Sequence, residues 1–174
     1  MGGGRTRPSV VSDAFEAVIA ALYAVLTHLQ NVLLPGSTTW AIQMRLSEAL
    51  CVLSFFTPAA IPGLTVGCLV FNITYAAALP LDFLVGSLAT LLAAGGMWLT
   101  RRVTVKGYPL VGMAMPALFN ALLVGWELTV YIGGGFFLNA LYVALGELAV
   151  LLTFGTVLFY AVKKRHLDTK VFGA

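Results

Sequence analysis

The chain has 174 residues, 60% of them hydrophobic and 10% charged, with a formal net charge of +3. Soluble globular domains carry roughly 25% charged residues, so this composition excludes an ordinary soluble enzyme or binding domain and describes one domain built for lipid. The basic residues fall in short clusters between apolar segments and form no nucleic-acid footprint, so no nucleic-acid partner is expected.

A membrane helix needs about 20 predominantly apolar residues, within a range of about 17–25. Six apolar segments can be drawn: residues 14–34, 45–58, 61–79, 82–100, 109–131 and 137–162, the second of them short. They predict an all-α, polytopic membrane protein with a six-helix domain over residues 14–162, flanked by tails 1–13 and 163–174. The opening MGGGRTR has neither an apolar core nor a cleavage pattern, so it does not read as a signal peptide. Breakers separate the segments: Pro35-Gly36-Ser37 after the first, Pro58 and Pro62 around a tight turn after the second, and Pro80 before the fourth, with Asp82 a candidate N-cap. Gly107-Tyr108-Pro109 precedes the fifth segment and Gly133-Gly134-Gly135 the sixth. No internal repeat is visible, which disfavours an inverted-repeat transporter.

With six spans, three basic clusters share one face: Arg5 with Arg7, then Arg101, Arg102 and Lys106, then Lys163, Lys164, Arg165 and Lys170. Arg45 falls on the other face. The positive-inside rule then places both termini in the cytoplasm. The loop holding Trp40, the Pro80 turn and the triple-glycine loop face outside.

Charged groups at bilayer depth are rare and read by default as functional. The stretch around Arg45 and Glu48 opens the second segment at its outer end. Asn72, Asn120, Glu127 and Asn139 also fall toward the outer half, as does Glu147, roughly 13 Å deep at about 1.5 Å per residue. Asn120 and Glu127 are seven apart and share a helix face that Tyr131 extends, while Asn139 and Glu147 lie within about 80° of each other. This concentration describes an outward-facing solute pocket. Bland readings stand beside it. Arg45 and Glu48 suit a self-neutralising i,i+3 pair. Asp82 suits a cap, and Asn72 and Asn120 suit interhelical hydrogen bonds. Tyr23, Trp40, Tyr75, Trp126 and Tyr131 suit an interfacial belt as well as stacking on a flat ligand. Glu147 has no cation in its own helix and must find a donor, a proton or a ligand.

In the first segment Ala17 and Ala21 are four apart, as are Ala20 and Ala24. Small residues at that spacing admit a second helix, either a partner or a neighbour in the bundle, and Gly63-xxx-Gly67 repeats the pattern. Cys51 and Cys68 lie in apolar runs without metal-ligand spacing and read as buried small hydrophobes. No phosphate loop, HExxH, nucleophile elbow or cysteine–histidine cluster occurs, and neither His28 nor His166 has an evident catalytic partner. No catalytic residue, metal or cofactor is expected.

Four stretches in order, IQMRLSEAL (42–50), FFTPAAIPG (55–63), GSLATL (86–91) and PALFNA (116–121) with Glu127-Leu128, resemble the queuosine-precursor transporter family, QueT. The resemblance implies a six-helix S component of an energy-coupling factor (ECF) transporter. Such a protein captures a scarce solute outside and docks on a transmembrane coupling protein and two cytoplasmic ATPases. It also implies that the alanines of the first helix form the docking surface, that ATP hydrolysis belongs to the partners, and that the ligand is a 7-deazaguanine, a queuosine precursor or queuine. Carboxylates of Glu48, Glu127 and Glu147 would accept from its ring N–H and exocyclic amine. Asn72, Asn120 and Asn139 would complete the polar contacts, and Arg45 would hold one carboxylate ionised. Met44 and Ser54 depart from the family's pattern. An S component for another flat vitamin, such as riboflavin or thiamine, and a ligand-free accessory membrane subunit are the alternatives.

Overall fold

The computed structural model describes residues 8–38 and 44–167. Trp40, Ile42 and Gln43 lie outside these residues, as do the basic Arg5, Arg7 and Lys170. The described chain forms helices α1 (Pro8–Leu33), a 3-10 segment (Leu46–Phe55), α2 (Ala60–Thr74), α3 (Asp82–Thr100), α4 (Leu110–Met113), α5 (Met115–Tyr131), α6 (Phe136–Val150), a π-helical turn (Leu151–Gly155) and α7 (Thr156–Lys164). Among the described residues the strand-like feature is one isolated bridge between Val105 and Tyr108, closed by Lys106 (φ 52) and Gly107 (φ 80).

Four helical runs are long and apolar enough to cross a membrane: Ser12–Leu33, Asp82–Thr100, Leu110–Tyr131 and Phe136–Lys164. Leu46–Phe55 and Ala60–Thr74 are apolar but shorter. Ten residues of 3-10 helix at about 2.0 Å per residue cover roughly 20 Å, against a hydrocarbon core of about 30 Å. The third expected segment also ends early. Tyr75 is extended (φ −90, ψ 109) and a turn through Ala78 follows before Pro80. The chain is therefore a multi-pass helical membrane protein in which two of the six expected spans are short. The fifth is interrupted at Ala114, just before Pro116 in the first turn of α5, where a residue without an amide N–H is tolerated.

Neighbouring helices pack α1 on α2, α2 on α3, α3 on α5 and α5 on α6, and the 3-10 segment touches α1, α2, α3, α6, α7 and the π turn. It is the hub of the bundle. α1 and α2 meet backbone to backbone, where a Cβ on Gly67 would lie 2.7 Å from both Ala20 O and Tyr23 Cβ. Gly63 sits equally close to Glu16 O, at 2.7 Å. Only glycine allows the two backbones to meet there. Ala20 and Ala24 thus serve packing within the bundle, whereas Ala17 and Ala21 are exposed.

Two apolar clusters fill the interior. One gathers Ile19, Val52, Leu64, Met97, Met113 and Phe159; the other joins Val85, Ala89, Val124, Leu128 and Val143 between α3, α5 and α6. The outward faces carry exposed Val18, Val25, Val32, Leu99, Phe137 and Val157, an apolar surface suited to lipid. Cys51 and Cys68 are free thiols, both buried.

Candidate functional site

In a 3-10 helix side chains three apart eclipse one another. Arg45, Glu48, Cys51 and Ser54 therefore stand in one row, and all four are buried. Such runs seldom exceed about four residues; this one has ten. Its geometry is imposed from outside, chiefly by α1. Tyr23 donates to Glu48 Oε1, Thr27 Oγ1 lies 2.7 Å from Ser47 Oγ, and Leu46 N donates to Gln30 Oε1 at 2.8 Å, while Gln30 Nε2 donates to Met44 O. Tyr23, Thr27 and Gln30 recur at intervals of four and three, one face of α1. Asn31 adds a bond from Thr38 Oγ1 at 2.9 Å.

Glu48 is fully engaged. Its Oε1 also receives Thr90 Oγ1 at 3.4 Å, and its Oε2 receives Cys51 Sγ at 3.1 Å. Arg45 does not pair with Glu48. Its Nη2 reaches Asp82 Oδ2 at 3.5 Å, and its Nε donates to Thr38 O at 3.4 Å. Asp82 is accordingly not an N-cap: that position is Leu81, and no side-chain cap bond forms. A buried guanidinium demands a countercharge more strongly than a helix end demands a cap. Asn72 Nδ2 donates to Asp82 O at 2.8 Å and fastens α2 to the start of α3. A Cβ on Gly86 would meet Asn72 Nδ2 at 2.8 Å and Asp82 Oδ1 at 3.3 Å, so glycine makes room for this cluster.

Beside these satisfied groups lies a second set that is not satisfied. Glu127 is fully buried, and among the described residues neither carboxylate oxygen has a hydrogen-bond partner; Glu147 Oε2, Asn120 Nδ2, Asn72 Oδ1 and Ser54 Oγ are likewise buried without one. A buried polar atom left unpaired costs about 1–3 kcal/mol, more when charged, and each such atom calls for an explanation. Four carboxylates, Glu48, Asp82, Glu127 and Glu147, and one guanidinium, Arg45, are buried among the described residues, and Arg45 reaches Asp82. Glu147 also stands just before the π turn Leu151–Gly155, a local distortion frequent at functional sites. Among the described residues, no group of three or more His, Cys, Asp or Glu is arranged to hold a metal ion.

Of the residues singled out from the sequence, Arg45, Glu48, Asn72, Asn120, Glu127 and Glu147 are all buried. Asn139 is engaged elsewhere, donating to Thr129 Oγ1 and Gly133 O, each at 3.0 Å, where it organises the loop into α6. Tyr131 and Trp126 are exposed at 41% and 49%, as belt residues are, and Tyr75 stacks on Phe71. Tyr23 is fully buried and belongs to the site's framework. Sequence reasoning passed over Thr27, Gln30 and Thr90. The signal available was their polarity within otherwise apolar spans.

A family model for the QueT transporter matches residues 14–164. No curated protein and no solved structure matches the chain. The family match spans every membrane helix and the whole buried polar cluster, and the chain belongs to the QueT transporter family: it is a multi-pass membrane transport protein.

Proposed function

We propose that the protein is the substrate-binding S component of an ECF-type importer and that it captures a 7-deazaguanine, a queuosine precursor or queuine, from outside the cell. The observation that carries this reading is the set of buried, unpartnered groups on α5 and α6. Glu127 and Glu147 offer acceptors, and Asn120 offers a donor. A deazaguanine presents the complement, a ring N–H and an exocyclic amine beside a carbonyl. One carboxylate accepts from both donors, and the Asn amide donates to the carbonyl. The remaining carboxylate suits a cationic aminomethyl substituent. Asn72 Oδ1 is a further buried acceptor without a partner among the described residues.

In this reading both termini are cytoplasmic, with the basic loop Arg101, Arg102 and Lys106 and the basic end Lys163 to Arg165 facing the cytoplasm. The protein docks through the exposed Ala17 and Ala21 of α1 on a transmembrane coupling protein. Hydrolysis of ATP by two cytoplasmic ATPases then drives reorientation, by toppling of the whole bundle, and inward release. Residues 45–58 and 61–79 take the roles of short spans that seat the ligand from below.

Mass spectrometry of small molecules released from the purified protein, followed by titration with 7-deazaguanines, tests the proposal. A bound deazaguanine supports it. A different heterocycle overturns the substrate and keeps the architecture. No ligand and no binding by a folded protein favours an accessory membrane subunit.

A further inference from the structure

The carboxylates of the site are not equivalent. Glu127 has both oxygens buried and unpaired, and Glu147 has one. Glu48, just as buried at 1% exposure, has both oxygens occupied, by Tyr23, Thr90 and Cys51. A ligand reaching Glu48 would have to displace donors supplied by three different elements, whereas a ligand reaching Glu127 breaks no hydrogen bond among the described residues. The bonds to Glu48 are also part of a longer row. Tyr23, Thr27 and Gln30 on one face of α1 hold successive points of the chain at Glu48, Ser47, Leu46 and Met44. That row fixes the rotation of the 3-10 segment, which carries Arg45 and packs against α6 and the π turn beside Glu147. With about three residues per turn, one residue of slippage rotates every side chain of the segment by roughly 120°.

We infer that Glu48 is a positioning residue and not a ligand contact, and that Tyr23 is the residue through which α1 sets the geometry of the binding site. This rests on the reading of Asn120, Glu127 and Glu147 as the ligand's contacts. Tyr23 holds Glu48, Glu48 holds the 3-10 segment in register, and the segment presents Arg45 to Asp82 and supports the wall beside Glu147. Tyr23→Phe keeps the buried ring and the Cβ that lies against Gly67 and removes the hydroxyl alone. Its effect therefore reports the hydrogen bond.

The test is a set of cycles between side chains and ligand groups. Purified wild type, Tyr23→Phe, Glu48→Gln, Glu127→Gln and Glu147→Gln are titrated with 7-deazaguanine, its 7-aminomethyl derivative and 7-deazahypoxanthine, which lacks the 2-amino group. The inference predicts that Tyr23→Phe and Glu48→Gln weaken all three ligands by the same factor, about tenfold, with no coupling to either the amino or the aminomethyl group. Glu127→Gln or Glu147→Gln, by contrast, couples to at least one group by about fivefold or more. Coupling of Glu48→Gln to a ligand group overturns the inference, as does a Tyr23→Phe affinity within twofold of wild type.

A second readout needs no ligand. The rate of alkylation of Cys51, followed by peptide mass spectrometry, rises about fivefold or more in Tyr23→Phe if the hydroxyl holds the segment closed, since Cys51 lies against Glu48. An unchanged rate overturns the positioning role. Wild type that binds no deazaguanine removes the functional reading, and the Cys51 rate still decides the role of Tyr23.

Discussion

Two sets of buried polar groups lie inside this bundle, and they differ in one respect. The cluster formed by Arg45, Asp82, Glu48 and Tyr23, fastened by Asn72 Nδ2, is bonded internally, charge to charge and donor to acceptor. The set formed by Asn120, Glu127 and Glu147 holds buried polar atoms that no partner among the described residues answers. Both are costly to bury, but the first offsets its cost within the fold. The second lowers stability unless something else binds. The comparison separates residues that build the site from residues that await an occupant, a distinction that burial alone does not draw.

The sharpest way to break the first cluster is Asp82→Ala. It leaves Arg45 buried without a countercharge, and removing one partner of a buried pair costs about 3–5 kcal/mol. The variant should lose most of its thermal stability in detergent, measured as the unfolding midpoint. A midpoint near that of wild type would mean Arg45 finds water or another partner. Next in size is Gly67→Leu. Its Cβ would sit 2.7 Å from Ala20 O, and overpacking of this kind costs about 1–3 kcal/mol. The expected result is a lower midpoint with α1 and α2 forced apart, read as new crosslinking failure between engineered cysteine pairs on the two helices.

Smaller still is Asn139→Ala, which removes two bonds of a half-buried loop amide, worth about 1 kcal/mol or less each. It should lower the midpoint slightly and leave ligand affinity within twofold, since Asn139 belongs to neither cluster. A tenfold loss of affinity would return Asn139 to the binding site. The smallest intrinsic effect is expected from Ala17→Leu with Ala21→Leu, both exposed on α1. Stability and ligand affinity should match wild type, and co-purification with a coupling module should fail. Retained co-purification would place docking on another face.

Much of this was legible in the sequence. Asn120 and Glu127, seven residues apart on an apolar helix, announced a shared buried face, and Glu147 announced a carboxylate without a local cation. Both patterns are one-dimensional, a period and a composition, and such features survive folding. What the sequence did not show depends on partners far apart in the chain. The spacing of Arg45 and Glu48 suited an ion pair between them, yet Arg45 turns to Asp82, thirty-seven residues on, and Glu48 to Tyr23, twenty-five residues back. Asp82 looked like a cap for the same reason: a helix start is visible locally, and a buried guanidinium across the bundle is not. The 3-10 conformation of Leu46–Phe55 was equally hidden, because it is held by the side chains of α1 and not by its own composition. The four alanines singled out on α1 divided only in the structure, where Ala20 meets Gly67 and Ala24 is buried while Ala17 and Ala21 stay outside.

The most direct measurement compares wild type with Glu127→Gln in two assays on the same preparation, calorimetric titration with a 7-deazaguanine and thermal unfolding without ligand. Glu127 as an unanswered carboxylate that awaits a ligand predicts opposite signs: affinity falls about tenfold or more, while the ligand-free variant unfolds at the same temperature as wild type or higher. A variant that binds as tightly as wild type, or one that binds weakly because it has lost its stability, would contradict the account.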